Sequence, residues 1–297
     1  MSTSRRRLLT AFVALAGLTF LALSSGCRDK GQESATAGRQ NVQNLVELVN
    51  KDVAEIERGL PEGAKQLSTI LGKETELRAN PNAVRTALLK MRQRVPDLGI
   101  AKSTFFALAD EKGIAIRNDN EQDTMAGKDL VGAWPGIAPA LKGTPFVATN
   151  GKFPGAENPA GPDKEWVAAT PVKREDGGTL GLLVTGWTYR RFAYHLQESL
   201  RRDLQDELMR AGDKGKMPII YVALFEGDTI YGATAPRTIP FPPVNEEALA
   251  KLGLVAKTAA GPADGKIEIT DRGFGWAAAR APKLGDNIGV VVLRSEV

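Results

Sequence analysis

Cysteine and histidine are nearly absent from this chain. Its 297 residues contain one of each, Cys27 and His195. A lone cysteine cannot close an intrachain disulfide, so apolar burial has to hold the fold, and a chain of this length has enough residues to build two domains of ordinary size. A single histidine excludes multi-histidine metal sites and leaves any Ser-His-Asp triad dependent on one candidate base. The sequence also lacks a Gly-x-Ser-x-Gly elbow, a His-Glu-x-x-His pair and a phosphate-binding glycine loop, so neither an enzyme nor a resident cofactor is expected. Charge of one sign is missing as well. The chain carries 39 basic and 35 acidic residues for a net +4, and Arg5, Arg6 and Arg7 supply most of the excess. From residue 27 onward the balance is 36 to 35, which excludes nucleic acid as an electrostatic partner. Finally, the apolar stretch from Leu8 to Leu23 falls short of the roughly 20 apolar residues that a spanning helix needs.

What stands at the N-terminus is a positive segment, Arg5-Arg6-Arg7, then that apolar stretch, then the small residues Ser24-Ser25-Gly26. This order is that of a cleaved secretory signal. With Cys27 directly behind the small residues, residues 1–27 resemble a bacterial lipoprotein signal, although Leu23 lies four residues before the cysteine where the family places a leucine at three. The resemblance implies that Cys27 is the lipidation site and first mature residue, with a lipid bilayer as its partner. Arg28 rather than Asp follows the cysteine, so the resemblance points to the cell envelope, at the outer membrane facing the periplasm. Residues 27–40, polar and without apolar period, read as a flexible tether.

From Val42 the pattern is helical. Val42, Leu45, Val46, Val49, Val53 and Ile56 recur at three- and four-residue spacing, and the helix is expected to end near Gly59-Leu60-Pro61. Two further helical stretches follow, one around Leu67, Ile70 and Leu71, the other carrying Val84, Ala87, Leu88 and Met91. Strand chemistry begins at Phe105: Phe105–Ala109 and Ile114–Ile116 flank the turn Asp110-Glu111-Lys112-Gly113, and Trp166–Ala169 and Leu180–Val184 flank Glu175-Asp176-Gly177-Gly178. A long amphipathic helix covers Arg190 to Met209 through Phe192, Leu196, Leu200, Leu204 and Leu208. The elements then repeat. Ile220–Tyr231 follows the first hairpin, Trp276-Ala277-Ala278-Ala279-Arg280-Ala281-Pro282 follows Trp166-Val167-Ala168-Ala169-Thr170-Pro171 with one residue inserted, and Ile288–Val292 follows Leu180–Val184. The expected class is therefore α/β (α+β) with antiparallel sheets in two duplicated units. The first covers 41–189 with its N-terminal helices, the second 213–297, and 190–212 is a connecting helix.

Phe105 to Arg117, followed by Ala126-Gly127-Lys128-Asp129-Leu130, resembles the PAS-like Cache modules, the extracytoplasmic sensors of bacterial chemoreceptors and histidine kinases. Taken over both halves, residues 41–297 resemble a double Cache module. The resemblance implies two tandem PAS-like units and a small-molecule ligand held against the segment from Ala126 to Asp163. That segment is rich in Gly, Pro and aromatic residues, as apolar pockets with few polar groups require. Trp134, Phe146, Trp166 and Tyr189 are the candidate wall, and Arg117 or Arg191 the candidate anchor for a carboxylate. The second half has Pro240-Phe241-Pro242-Pro243 and a short helix in the corresponding place, so the first half is expected to hold the ligand. With the last strand ending at Val297, signal output is expected to pass through an envelope protein partner. The alternative is a structural or assembly lipoprotein that uses the same fold as a protein-binding surface. His195 reads as a helix-surface residue, and Asp119, Glu121 and Asp123 as a solvated turn.

Overall fold

In the computed structural model, residues 30–74, 76–153, 161–212, 216–235, 238 and 241–296 are described. The expectation for Cys27 lies outside these residues. Helix α1, Lys30–Leu71, runs for 42 residues, roughly 60 Å at 1.5 Å per residue. Its stripe of Val42, Leu45, Val49, Val53, Ile56, Leu60, Ala64, Leu67 and Leu71 is buried throughout. The expected break at Gly59-Leu60-Pro61 does not occur. Pro61 removes one backbone hydrogen bond, but Ile56, Leu60, Ala64 and Leu67 stay in phase across it, so burial of one unbroken face outweighs the local cost. Gly59, which suggested a break, serves a close contact instead, and Gly63 does the same one turn on. A Cβ on Gly59 would lie 2.7 Å from Leu98 Cδ2, and one on Gly63 2.6 Å from Met91 Sδ. Helices α2, Pro81–Arg94, and α3, Pro96–Ile100, supply those partners.

The expected tether is likewise helical. Residues 30–40 belong to α1, with Ser34, Ala35 and Gly38 buried. Small residues read as a linker because they carry little hydrophobicity; here they allow the helix backbone to lie on a strand.

Strands β1, Phe105–Ala109, β2, Ala115–Asn118, β3, Val147–Gly151, β4, Glu165–Lys173, and β5, Thr179–Thr188, form an antiparallel sheet in the order β2-β1-β5-β4-β3. Two short helices, α4, Leu130–Ala133, and α5, Ala138–Leu141, precede β3. After the long helix α6, Tyr189–Ala211, come β6, Ile219–Glu226, and β7, Thr229–Gly232, then α7, Pro243–Ala250, and α8, Leu254–Lys257. Strands β8, Ala263–Ile269, β9, Arg272–Arg280, and β10, Ile288–Ser295, complete a second antiparallel sheet in the order β7-β6-β10-β9-β8. The two sheets have the same strand order, as the repeated sequence pattern predicts. Cross-strand rows match as well: Ala107–Val184–Ala169 in the first and Ala223–Val291–Ala278 in the second.

One element of the repeat does not superpose. Trp166 stands three residues before Ala169, and Trp276 two residues before Ala278. A one-residue offset in a strand turns a side chain to the other face. Trp166 accordingly packs with α1 and α6, whereas Trp276 lies on the far face with Phe274 and Phe241. The near faces of both sheets share one core with α1 and α6, and each far face has its own apolar cluster. Helix α1 therefore does not belong to the first unit alone. A Cβ on Gly275 of β9 would meet the backbone of Ser34 and Ala35, and Arg39 pairs with Asp264 of β8 at 2.5 Å.

Candidate functional site

The far face of the first sheet is assembled from Phe105, Ala107, Ala109, Val167, Ala169, Leu182 and Val184 on the strands and Met125, Leu130, Trp134 and Ile137 above them. The turn after β1 fixes its edge. Asp110 Oδ1 accepts from the backbone N–H groups of Lys112 and Ile114 at 3.0 and 2.9 Å, and Gly113 supplies the positive φ of 82° that the reversal requires. The Gly127-Lys128-Asp129 segment then lies beside β2, where Ala115 N–H donates to Lys128 O at 2.8 Å. Asp129 caps α4 by accepting from Gly132 N–H at 2.8 Å. Trp134 follows directly, so this cap sets the height of the indole over the sheet.

Trp134 is 1% exposed. Its ring stacks between Phe105, centroids 6.2 Å apart, and Phe153, 5.1 Å, and lies across Gly151, where a Cβ would come within 2.7 Å of the indole Cδ1. Its Nε1 is a buried donor with no hydrogen-bond partner among the described residues. Lys128 places its ammonium 4.5 Å above the Phe153 ring. Trp187 Nε1 is also unpaired, but that ring is sandwiched between Trp166 and Phe192 at 4.4 Å on each side, in the closed core with α1. An aromatic floor, an unused N–H and a cation at the rim together suit a small molecule that carries both an acceptor and an apolar body.

The expected site residues do not converge. Trp134 alone stands on the far face. Trp166 and Tyr189 are buried on the near face, and Phe146 packs half-buried against that same core. Tyr189 donates its hydroxyl to Asn150 Oδ1 at 2.8 Å and meets Tyr231 edge-on at 5.0 Å; burial, helped by Glu226 and Tyr231, pushes its phenol upward. Arg117, the expected anchor, is committed within its own loop. It pairs with Asp123 at 2.9 Å and donates to the Asn120 and Glu121 carbonyls at 2.9 and 3.1 Å. Burial works against the Asp123 carboxylate, yet the Met125 and Ala126 N–H groups and Arg117 hold it below the usual range. That turn is solvated only in part: Glu121 is exposed as expected, but Asp119 is 5% exposed, pairs with Arg92 at 3.1 Å and accepts from Phe106 N–H at 2.9 Å. Arg191 is exposed, its guanidinium 5.6 Å from the Tyr194 ring centroid. Among the described residues no three His, Cys, Asp or Glu are grouped to hold a metal ion, and no helix is long and apolar enough to cross a membrane.

Sequence reasoning missed Phe105, Phe153 and Lys128. Phe105 was legible from the alternation of β1, since it shares a face with Ala107. That Phe153 stacks on Trp134 and Lys128 sits over Phe153 depends on loop paths that no periodicity encodes. The polar junction between the units was missed as well. Arg190, 2% exposed, forks onto Glu246 at 2.5 and 3.0 Å and donates to the Pro162 and Gly232 carbonyls. Beside it Lys164 pairs with Glu226 at 2.6 Å.

No family model and no curated protein matches this sequence. Solved structures do. A domain from a Vibrio parahaemolyticus protein described as sensory box/GGDEF family is similar at 11% identity and a TM-score of 0.51, over 90% of this chain and 98% of that one. The extracellular domain of vpHK1S-Z8, described as a histidine kinase, gives 11% and 0.50 over 90% and 93%. An extracellular ligand binding receptor from Desulfohalobium retbaense gives 14% and 0.47 over 86% of this chain, which spans 40% of that one. The fold is that of PAS-like sensor domains, with two five-stranded antiparallel sheets behind a long N-terminal helix.

Proposed function

We propose that this chain is a membrane-anchored extracytoplasmic lipoprotein that binds a small molecule on the far face of its first sheet and signals through an envelope protein partner. It has no catalytic role in this reading. The observation that carries it is Trp134, whose buried N–H, within an aromatic stack, has no partner among the described residues. A buried donor left unsatisfied costs about 1–3 kcal/mol, a cost that a bound acceptor would relieve. The sensor-type fold supports the reading, and so does the extracellular placement of the histidine-kinase domain that resembles it.

Glu296 N–H donates to Ser34 Oγ at 3.3 Å, so the first turns of α1 lie against the second sheet. An anchor at Cys27 would hold that sheet near the bilayer and the first sheet several tens of ångströms away, given the length of α1. Lipid attached at Cys27 would supply the membrane affinity.

The test is a thermal-shift screen of the purified chain against small metabolites, followed by calorimetry on wild type and Trp134→Phe. An aromatic ring is kept, but the N–H and part of the indole's stacking area are lost, so affinity should fall at least five- to tenfold, about 1 kcal/mol or more. Equal affinity in the variant would remove Trp134 from the site. For the anchor, Cys27→Ser should move the protein out of the membrane fraction or leave it unprocessed; processed protein that stays with membranes would overturn lipidation.

A further inference from the structure

A second concave site lies on the other side of β1, where residues 102–104 enter the strand and α6 leaves the sheet. Arg191, Tyr194, His195 and Glu198 are spaced i, i+3, i+4 and i+7 and therefore share one face of α6. With Lys102, Ser103 and Thr104 they enclose about 520 Å³. We propose that this groove binds a small organic carboxylate, independently of the far-face site.

The charge is arranged for an anion. Among the described residues no carboxylate lies within ion-pair distance of Lys102 or Arg191. Glu198, the acid in the groove wall, is engaged by Arg201 at 2.9 Å. The position of Arg191 over the Tyr194 ring holds its planar fork beside an aromatic surface, an arrangement suited to a carboxylate with a short apolar body. Ser103 contributes a hydroxyl that is buried and has no hydrogen-bond partner among the described residues. Thr104 Oγ1 already donates to Gly186 O at 3.1 Å, so Ser103 is the free hydroxyl of the pair.

His195 completes the wall. Its Nε2 lies 2.9 Å from Asp52 Oδ2, and that carboxylate is 3% exposed. A carboxylate can only accept, so Nε2 carries the proton and Nδ1 remains for a ligand, as an acceptor in the neutral ring and a donor in the imidazolium. Behind it on α1, Glu55 is buried next to Asp52; its carboxyl is raised by burial and then by the Asp52 charge.

Because His195 is the sole histidine, its imidazole resonances report this site without assignment, provided that the protein carries no histidine tag. The experiment titrates succinate into the purified full chain at constant ionic strength, with chloride and inorganic phosphate as parallel probes. The expected result is a saturable shift of the His195 ring signals by succinate, with a Kd on the order of 1 mM or tighter. Lys102→Gln combined with Arg191→Gln, both exposed positions, should weaken it at least tenfold, while Trp134→Phe leaves it unchanged. The proposal is overturned if succinate produces no saturable shift, if the double variant binds as well as wild type, or if Trp134→Phe abolishes binding. A shift of equal strength with phosphate or chloride would overturn the assignment to carboxylates.

Discussion

Glu165 opens β4 at the junction of the two units, and its Oε2 is buried without a hydrogen-bond partner among the described residues. Burial, with Asp163 adding to it, pushes its carboxyl from 4.5 up to about 7. The sign of the consequence is fixed. Below pH 4.5 the residue is protonated in folded and unfolded chains alike. Between 4.5 and about 7 the unfolded chain ionises first, so folding stability falls as pH rises, and above about 7 the loss is complete. Glu165→Gln should therefore gain about 2 to 3 kcal/mol over wild type at pH 8 and little at pH 4. Urea midpoints at the two pH values check this, and an equal difference at both would show that ionisation is not the cause. Side chains of this kind were the least legible from the sequence. Glu165 is one acid among many until the fold encloses it, and Arg190 and Arg191 look alike as neighbours although the helix turns one into the junction and the other to solvent.

At the scale of elements, α1 shows how packing overrides local preference. Glycine in a helix interior costs about 1 kcal/mol relative to alanine, so Gly63→Ala would stabilise an isolated helix. Here a Cβ would stand 2.6 Å from Met91 Sδ and 2.7 Å from Leu98 Cδ1. Overpacking of about 1–3 kcal/mol should exceed the gain, so the variant is expected to lose about 1 kcal/mol in chemical unfolding. A more stable variant would mean that α2 and α3 move aside freely. Most strands and α6 follow directly from periodicity and turn residues, because each needs only its own pattern and a local reversal. The long reach of α1 does not, because its continuation through Pro61 and back to Lys30 is decided by surfaces contributed by α3 and β9.

For the whole molecule, the decisive feature is the single core that both sheets share with α1 and α6. Two units fused in this way should unfold together, with tryptophan fluorescence and far-ultraviolet dichroism giving coincident transitions. Two separated transitions would mean that the shared core does not couple them. Arg190 is the polar counterpart of that coupling. It joins the Pro162 carbonyl of the first unit to Glu246 and Gly232 of the second. Arg190→Ala should destabilise the fold by about 2–4 kcal/mol, chiefly by leaving Glu246 without its counter-charge at a partly buried position. Double substitution with Glu246→Gln should recover part of the loss; no recovery would place the effect in lost packing instead.

The sequence by itself determined the class of fold, the duplication and the strand order within each hairpin, because hydrophobic period and turn chemistry are local properties that act over a few residues. It also marked Trp134 and the Gly127-Lys128-Asp129 segment that positions it. Only the tertiary structure decided which aromatics share a face. A one-residue offset separates Trp276 from the position of Trp166, and Trp166 itself lies across the sheet from Trp134. It alone also decided which arginines are available, since Arg117 is drawn to Asp123 and Arg190 to Glu246 while Arg191 remains open. The physical reason is the same in both cases. Facing and pairing are set by contacts between residues distant in the chain, and those distances exist only once the backbone has closed.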